Sequence, residues 1–258
     1  MTGENSLNWH DLKGIKERFA LAGDVYHDAL DAKAAKEGWQ RLMTADEVPE
    51  LTKGGFYGAL YKRTVNGKEE HVIAFRGMDG VRDWDDVVKL ALGRRPDQIE
   101  DAYRFAKEAI KKFNLNPEDV EYAGHSMGGY LGKAVGLMMD SRKIYAFNSP
   151  GLFQRDLQGL PKQIERQFGE NKADITEKSI WDRVLSINSK WDPVSWIGKF
   201  AGKTIDVMTD RSRPHNLKSL EHGFNMAAHA IQDTWRAPAV TAQASDKMRP
   251  AALGYAMT

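Results

Sequence analysis

Residues 124–129 read Gly-His-Ser-Met-Gly-Gly, a G-x-S-x-G pattern preceded by strand-like Val120-Glu121-Tyr122-Ala123 and followed by an apolar, Gly/Ala-rich stretch from Tyr130 to Met139. A strand that reverses within a few residues into a helix needs small residues where the two backbones meet. Gly124 and Gly128 remove the Cβ atoms that would collide there. The residue at the tip, Ser126, is then expected at positive φ, with its hydroxyl lifted above the sheet and beside the N-terminus of the helix. Between a strand and a helix, the pattern predicts a strand–turn–helix unit and therefore a sheet covered by helices.

The neighbouring segments extend that unit. Leu12, Ile15, Phe19, Ala22, Val25, Tyr26 and Leu30 recur at helical intervals, and Ala-rich Asp31 to Lys36 continues the pattern, so residues 11–43 are expected to form one or two covering helices. Phe56 to Arg63 and His71 to Phe75 suit strands, and Val65-Asn66-Gly67-Lys68 between them is a hairpin signal. Ile99 to Phe113 carries a helix stripe that Asn116-Pro117 ends. Lys143 to Phe147 is a short apolar strand after the elbow helix, and strand, helix, strand implies a parallel crossover. Residues 152–182 read as inserted helices, Arg183 to Asn188 and Thr204 to Met208 as strands, and Leu217 to Trp235 as a closing helix. The expected fold is thus α/β: a central, mostly parallel sheet with an antiparallel N-terminal hairpin and flanking helices. With 258 residues in all, one domain is expected over residues 1–236, followed by an Ala/Pro-rich, flexible tail at 237–258.

Charge and composition narrow the chemistry. Lys plus Arg (37) nearly balances Asp plus Glu (36), so no global field draws the chain to nucleic acid or an anionic surface. There is no cysteine, which removes disulfides, a thiol nucleophile and thiolate metal sites. Met1 to Lys16 lacks the basic-then-apolar order of a signal peptide, and no apolar run is long enough to span a membrane. The expectation is synthesis in the cytoplasm, with any export by a route without a cleaved signal.

A serine hydroxyl is a weak nucleophile at neutral pH, so Ser126 needs a base within reach and a carboxylate to orient that base. In the α/β-hydrolases, whose elbow this pattern resembles, the acid and then the histidine follow later in the chain. Three histidines follow Ser126. His229 falls inside the last helix. His222 begins His-Gly-Phe-Asn-Met-Ala-Ala, with the stripe Phe224, Ala227, Ala228, Ile231, Trp235 starting directly after, which puts it at a helix entrance. His215 is the alternative: if the stripe runs back through Leu220 and Leu217, the helix starts at residue 216 and His222 turns to solvent. A mid-helix Gly223 would cost about 1 kcal/mol relative to Ala, and on that ground His222 is preferred. For the acid, Asp192 in Ser-Lys-Trp-Asp-Pro-Val lies just past a strand, where open α/β sheets build their sites. Asp210 is the second choice, since Asp182 lies at the wrong strand end and Asp206 within a strand. Oxyanion donors are expected from the main-chain amides of Met127, after the serine, and Met78, in the loop Arg76-Gly77-Met78-Asp79-Gly80 where Gly77 admits close approach.

With these residues in place, the chain resembles the class 3 lipase family and its bacterial α/β-hydrolase relatives. The resemblance rests on Val72-Ile73-Ala74-Phe75-Arg76-Gly77-Met78-Asp79, Asp83-Trp84-Asp85-Asp86, Gly124 to Gly129, Phe147-Asn148-Ser149-Pro150-Gly151 and Asp192-Pro193-Val194, and covers roughly residues 20–235. His222-Gly223-Phe224-Asn225 is similar to the His-Gly-Met-Asp ending of some bacterial members. Where the family usually has Thr or Ser after Phe-Arg-Gly, this chain has Met78, so its oxyanion hole would use backbone amides alone. The resemblance implies an α/β-hydrolase fold and hydrolysis of a carboxylic ester, most often of a lipid, through an acyl-enzyme on Ser126, with no cofactor and no metal. A lipid or other ester substrate and transient contact with a membrane interface are the partners it implies. Some relatives are secreted antibacterial effectors with phospholipase activity. Leu152, Phe153, Leu157, Leu160, Trp191, Trp196, Ile197 and Phe200 are candidates for an acyl pocket or an interfacial surface, against the commoner role of such residues in a core. A small soluble ester, thioester or amide is the alternative substrate, and a catalytically silent binding module the alternative class.

Overall fold

A computed structural model describes residues 9–48, 50–51, 55–77 and 98–236. Seven strands form one sheet: β1 (Gln40–Thr44), β2 (Gly58–Val65), β3 (Lys68–Phe75), β4 (Val120–His125), β5 (Ile144–Phe147), β6 (Val184–Ser189) and β7 (Lys203–Val207). They lie side by side in chain order. β1 to β3 pair antiparallel, and β3 to β7 pair parallel. The β2–β3 hairpin turns at Asn66 and Gly67, both at positive φ (51° and 78°), which is what a two-residue turn matched to strand twist requires.

Strict sequential order decides where the helices go. Right-handed crossovers that all step the same way leave their helices on one face of the sheet. That face carries α3 (Gln98–Lys112), α4 (Met127–Met138), α5 (Gln154–Phe168) and α6 (Glu177–Arg183). Its core joins Ile73, Tyr122, Ile144 and Val184 of the strands to Phe105, Leu131, Leu160 and Ile180 of those helices. The opposite face must be closed from outside the crossovers, and α1 (Trp9–Asp24) and α7 (Leu217–Arg236) close it. There Ala123, Tyr145, Phe147, Ile187 and Ile205 meet Ile15, Phe19, Leu220 and Phe224. The period-2 alternation along each strand separates the two cores cleanly.

The sequence reading locates the hairpin, the crossovers and the closing helix, with one correction in residues 11–43. After α1 and the short α2 (Ala32–Lys36) comes β1, a strand where helix was expected. Met43 alone of its five residues is buried, and its pairing with β2 shifts register between Arg41 and Met43. A short edge strand with one inward side chain leaves no period to read. The tail at 237–258 lies outside the described residues.

Charge holds α1 over the sheet. Arg18 Nε donates to Glu121 Oε2 (2.9 Å), and Arg63 Nη2 bridges Glu17 (2.5 Å) and Glu70 (2.7 Å), with Arg18, Glu17 and Arg63 all buried. Arg63 also lies over the buried Trp39 ring, 4.5 Å from its centroid.

Candidate active site

The turn from β4 to α4 has the expected form. Ser126 sits between them at φ 57°, ψ −128°, and its N–H donates to the carbonyl of Phe147 in β5 (2.9 Å). A side chain on Gly124 would strike the backbone of Gly128, and one on Gly128 would strike the carbonyl of Phe75. The elbow can therefore close only on glycine. Ser126, largely buried, lies with His125 and His215 in the lining of a cleft of about 1390 Å³ whose walls include Phe19, Tyr26 and Pro193.

Asp192 lies at the carboxyl end of β6, as anticipated, and is fully buried. Its main-chain N–H donates to Ser189 O (3.0 Å), and Pro193 follows as the first residue of a short 3-10 turn, Pro193–Trp196. Both carboxylate oxygens are used. Oδ1 accepts the Val194 N–H (3.1 Å), and Oδ2 lies 2.9 Å from Nδ1 of His215. A carboxylate only accepts, so Nδ1 carries the ring hydrogen and the lone pair of the neutral imidazole is on Nε2.

The expected placement of His222 is corrected. α7 begins at Leu217, with the Asn216 side chain accepting the Ser219 N–H (3.0 Å) and its carbonyl the Leu220 N–H (2.9 Å). His215 therefore stands immediately before the cap. His222 lies in the second turn, exposed on the outer wall of the cleft, and Asp192 faces His215 instead. The glycine that argued against this register has a packing reason: a Cβ on Gly223 would collide with the carbonyl of Met208, just past β7. His229 is exposed on the same helix.

Of the other acids, Asp182 pairs with Lys178, Asp206 is half-buried in β7, and Asp210 is exposed and accepts from Ser212. Met127 is the first residue of α4, so its amide belongs to the first-turn donors that the helix itself leaves unbonded. Met78 and the Asp83–Asp86 run lie outside the described residues. The loop after β3 nevertheless reaches the serine: a Cβ on Gly77 would be 3.2 Å from Ser126 Cβ. The Arg76 guanidinium lies over the Tyr57 ring at 4.9 Å. Leu152, Leu157, Leu160 and Phe200 are core, Phe153 and Ile197 are half-buried, and Trp191 lies under the Arg211 guanidinium (4.0 Å). Trp196 is 68% exposed.

Sequence reasoning passed over His125. Its ring is buried, and Nε2 is 2.8 Å from the carbonyl oxygen of His215 while Nδ1 is 3.4 Å from Tyr26 Oη. Tyr26 Oη accepts the Gly77 N–H (2.9 Å). Burial, reinforced by the neighbouring His215, pushes the His125 pKa down to about 3, so its imidazole is neutral at physiological pH. The strand alternation could have flagged it, since His125 continues the inward row of Ala123.

Residues 17–232 match the model of a phospholipase-like family, the Tle-like phospholipase domain. Among solved structures, the chain is similar to the extracellular lipase LipA from Serratia marcescens, with 14% identity, 75% of this chain and 41% of that chain covered, and a TM-score of 0.42. The chain thus spans under half the length of that lipase. EstE1, a thermophilic and thermostable carboxylesterase from a metagenomic library, gives 14% identity over 90% of this chain and 99% of that one, with a TM-score of 0.40. An esterase of Pyrobaculum calidifontis gives 15% identity over 87% and 94%, with a TM-score of 0.35. No curated protein matches the chain.

Proposed function

Because the chain belongs to the Tle-like phospholipase domain family, we propose that it is an ester hydrolase that cleaves a carboxylic ester of a phospholipid through Ser126, His215 and Asp192. The observation that carries this reading is the 2.9 Å contact of buried Asp192 with His215, which lines the cleft together with Ser126 at its strained turn. Ser126 Oγ attacks the carbonyl carbon while His215 Nε2 takes its proton, and Asp192 stabilises the imidazolium that forms. The tetrahedral oxyanion lies against main-chain N–H groups, of which Met127 is one. Collapse breaks the ester C–O bond, and His215 returns the proton to the departing alkoxide. Water then repeats the sequence on the acyl-Ser126 ester, releasing the fatty acid and restoring the serine.

The cleft wall beyond the serine carries Lys33, Arg213, Lys218 and Glu221, which suits a charged headgroup more than a second acyl chain. The exposure of Trp196, four residues after Asp192, supports transient contact with a membrane interface.

The test is turnover of phosphatidylcholine vesicles and of a soluble nitrophenyl ester, with fluorophosphonate labelling, in wild type, S126A, H215A and H222A. We expect labelling confined to chains that keep Ser126, and losses on the order of 10⁴–10⁶-fold in S126A and H215A. H222A should keep most of its turnover. Full activity in H215A would refute the assignment of the base, and absence of labelling in folded wild type would refute the hydrolase itself.

A further inference from the structure

The Asp192 contact fixes only the ring of His215; its backbone sits in the loop between β7 and α7, without regular structure to hold it. Two successive carbonyls of that loop are gripped from the sheet. Asn148, just past β5 and at φ 43°, donates through Nδ2 to Pro214 O (2.9 Å). His125, the last residue of β4, holds His215 O through Nε2 (2.8 Å). A carbonyl can only accept, so His125 Nε2 carries the hydrogen and Nδ1 is an acceptor. The contact with Tyr26 then has one possible direction: the Tyr26 hydroxyl donates to Nδ1, while its oxygen takes the Gly77 N–H. A single directed chain of hydrogen bonds runs from the loop after β3, through Tyr26 and His125, to the backbone of His215.

Resting on the assignment of Ser126 and His215 above, we propose that His125 is a positioning residue for ester hydrolysis, and that this chain of bonds fixes the His215 backbone relative to Ser126. The ring is unsuited to be a second base. Both nitrogens are occupied, and the 4.7 Å between the His125 and His215 ring centroids leaves no favourable place for a second cation. A packing role alone would be met by any ring of that size, whereas His125 offers a donor on one side and an acceptor on the other. His125 also directly precedes Ser126 in the chain, so the group that holds the base is bonded to the residue that attacks. A shift in the base would be communicated to chemistry steeply, since misplacement by about 1 Å can reduce a rate on the order of 10²-fold.

The experiment compares H125F, H125Q and Y26F in the full chain, using a soluble nitrophenyl ester, with the imidazole NMR resonances of His215 as a second readout. Phe keeps the size and removes both polar groups, while Gln keeps a donor and an acceptor. H125F should lower kcat by about 10²-fold with KM near wild type, and broaden the His215 Nδ1 proton signal. H125Q should recover at least about tenfold of that loss. Y26F, which removes one link and leaves His125 in place, should fall between, and it decides the matter if H125F does not fold. Equal loss in H125F and H125Q, or wild-type kcat in both H125F and Y26F, would overturn the proposal. H215A separates the two levels: if it is inactive while H125F and Y26F are normal, the base stands and the positioning role falls. If H215A is active, the underlying assignment falls instead.

Discussion

Asp192 has no rotational slack, because one oxygen is spent on Val194 and the other on His215. D192N would keep the shape but offer the histidine an amide that can turn either face toward Nδ1. We expect kcat for a soluble ester to fall about 10⁴-fold with little change in thermal midpoint. A second substitution tests the elbow. In G128A the new methyl meets the Phe75 carbonyl, which neither strand nor helix can move aside. Destabilisation of about 1–3 kcal/mol, read from urea unfolding, should accompany loss of fluorophosphonate labelling. At this scale the sequence locates the elbow at Ser126 and the turn at Asp192, because a turn and an Asp-Pro step are local. It misplaces the start of α7, and with it His215 and His222, for a physical reason. The helix penalty of Gly223 is visible in the sequence, but the Met208 carbonyl that demands glycine there arrives from fifteen residues away. His125 stays hidden for the same reason, since its partners Tyr26 and His215 come from opposite ends of the described chain.

At the scale of elements, α4 is the most confined helix, with every residue from Met127 to Met138 buried. Lys133 is among them, its amine without a hydrogen-bond partner among the described residues, and burial pushes its pKa down to about 7. Between the ordinary 10.5 and about 7 the unfolded chain binds a proton that the folded chain does not. Stability therefore rises with pH across that window, and below it the fold carries the full penalty of a buried charge. K133M, which fills the same volume without the amine, should stabilise by about 1–4 kcal/mol at pH 7. The gain should shrink toward pH 10.5, as urea titrations at the two pH values would reveal. α3 is legible from its period and α4 from the elbow and the small apolar residues that follow it, whereas β1 is not, because five residues with one buried side chain obey no period.

For the molecule as a whole, acid should loosen the fold in two stages. His125 has its pKa depressed in the folded state from 6.5 to about 3, so the unfolded chain takes up the proton first and stability falls as pH drops below 6.5. Glu70 adds a second loss below its ordinary 4.5. Burial raises its pKa, but Arg63 and Arg18 outweigh that and hold it lower in the folded chain. Thermal midpoints measured from pH 8 to pH 3 should decline in both ranges. H125Q should flatten the first and E70Q the second. Their failure to do so would place acid sensitivity elsewhere. The strand order has a further consequence for synthesis. A nascent chain that has emerged only through β7 has every described strand but lacks α7, which packs over β6 and β7 where Ile187 and Ile205 lie, and lacks the partner of Asp192 as well. Such a chain should bind chaperone and be inert toward ester, so ester hydrolysis would be withheld from the ribosome's own surroundings until α7 docks.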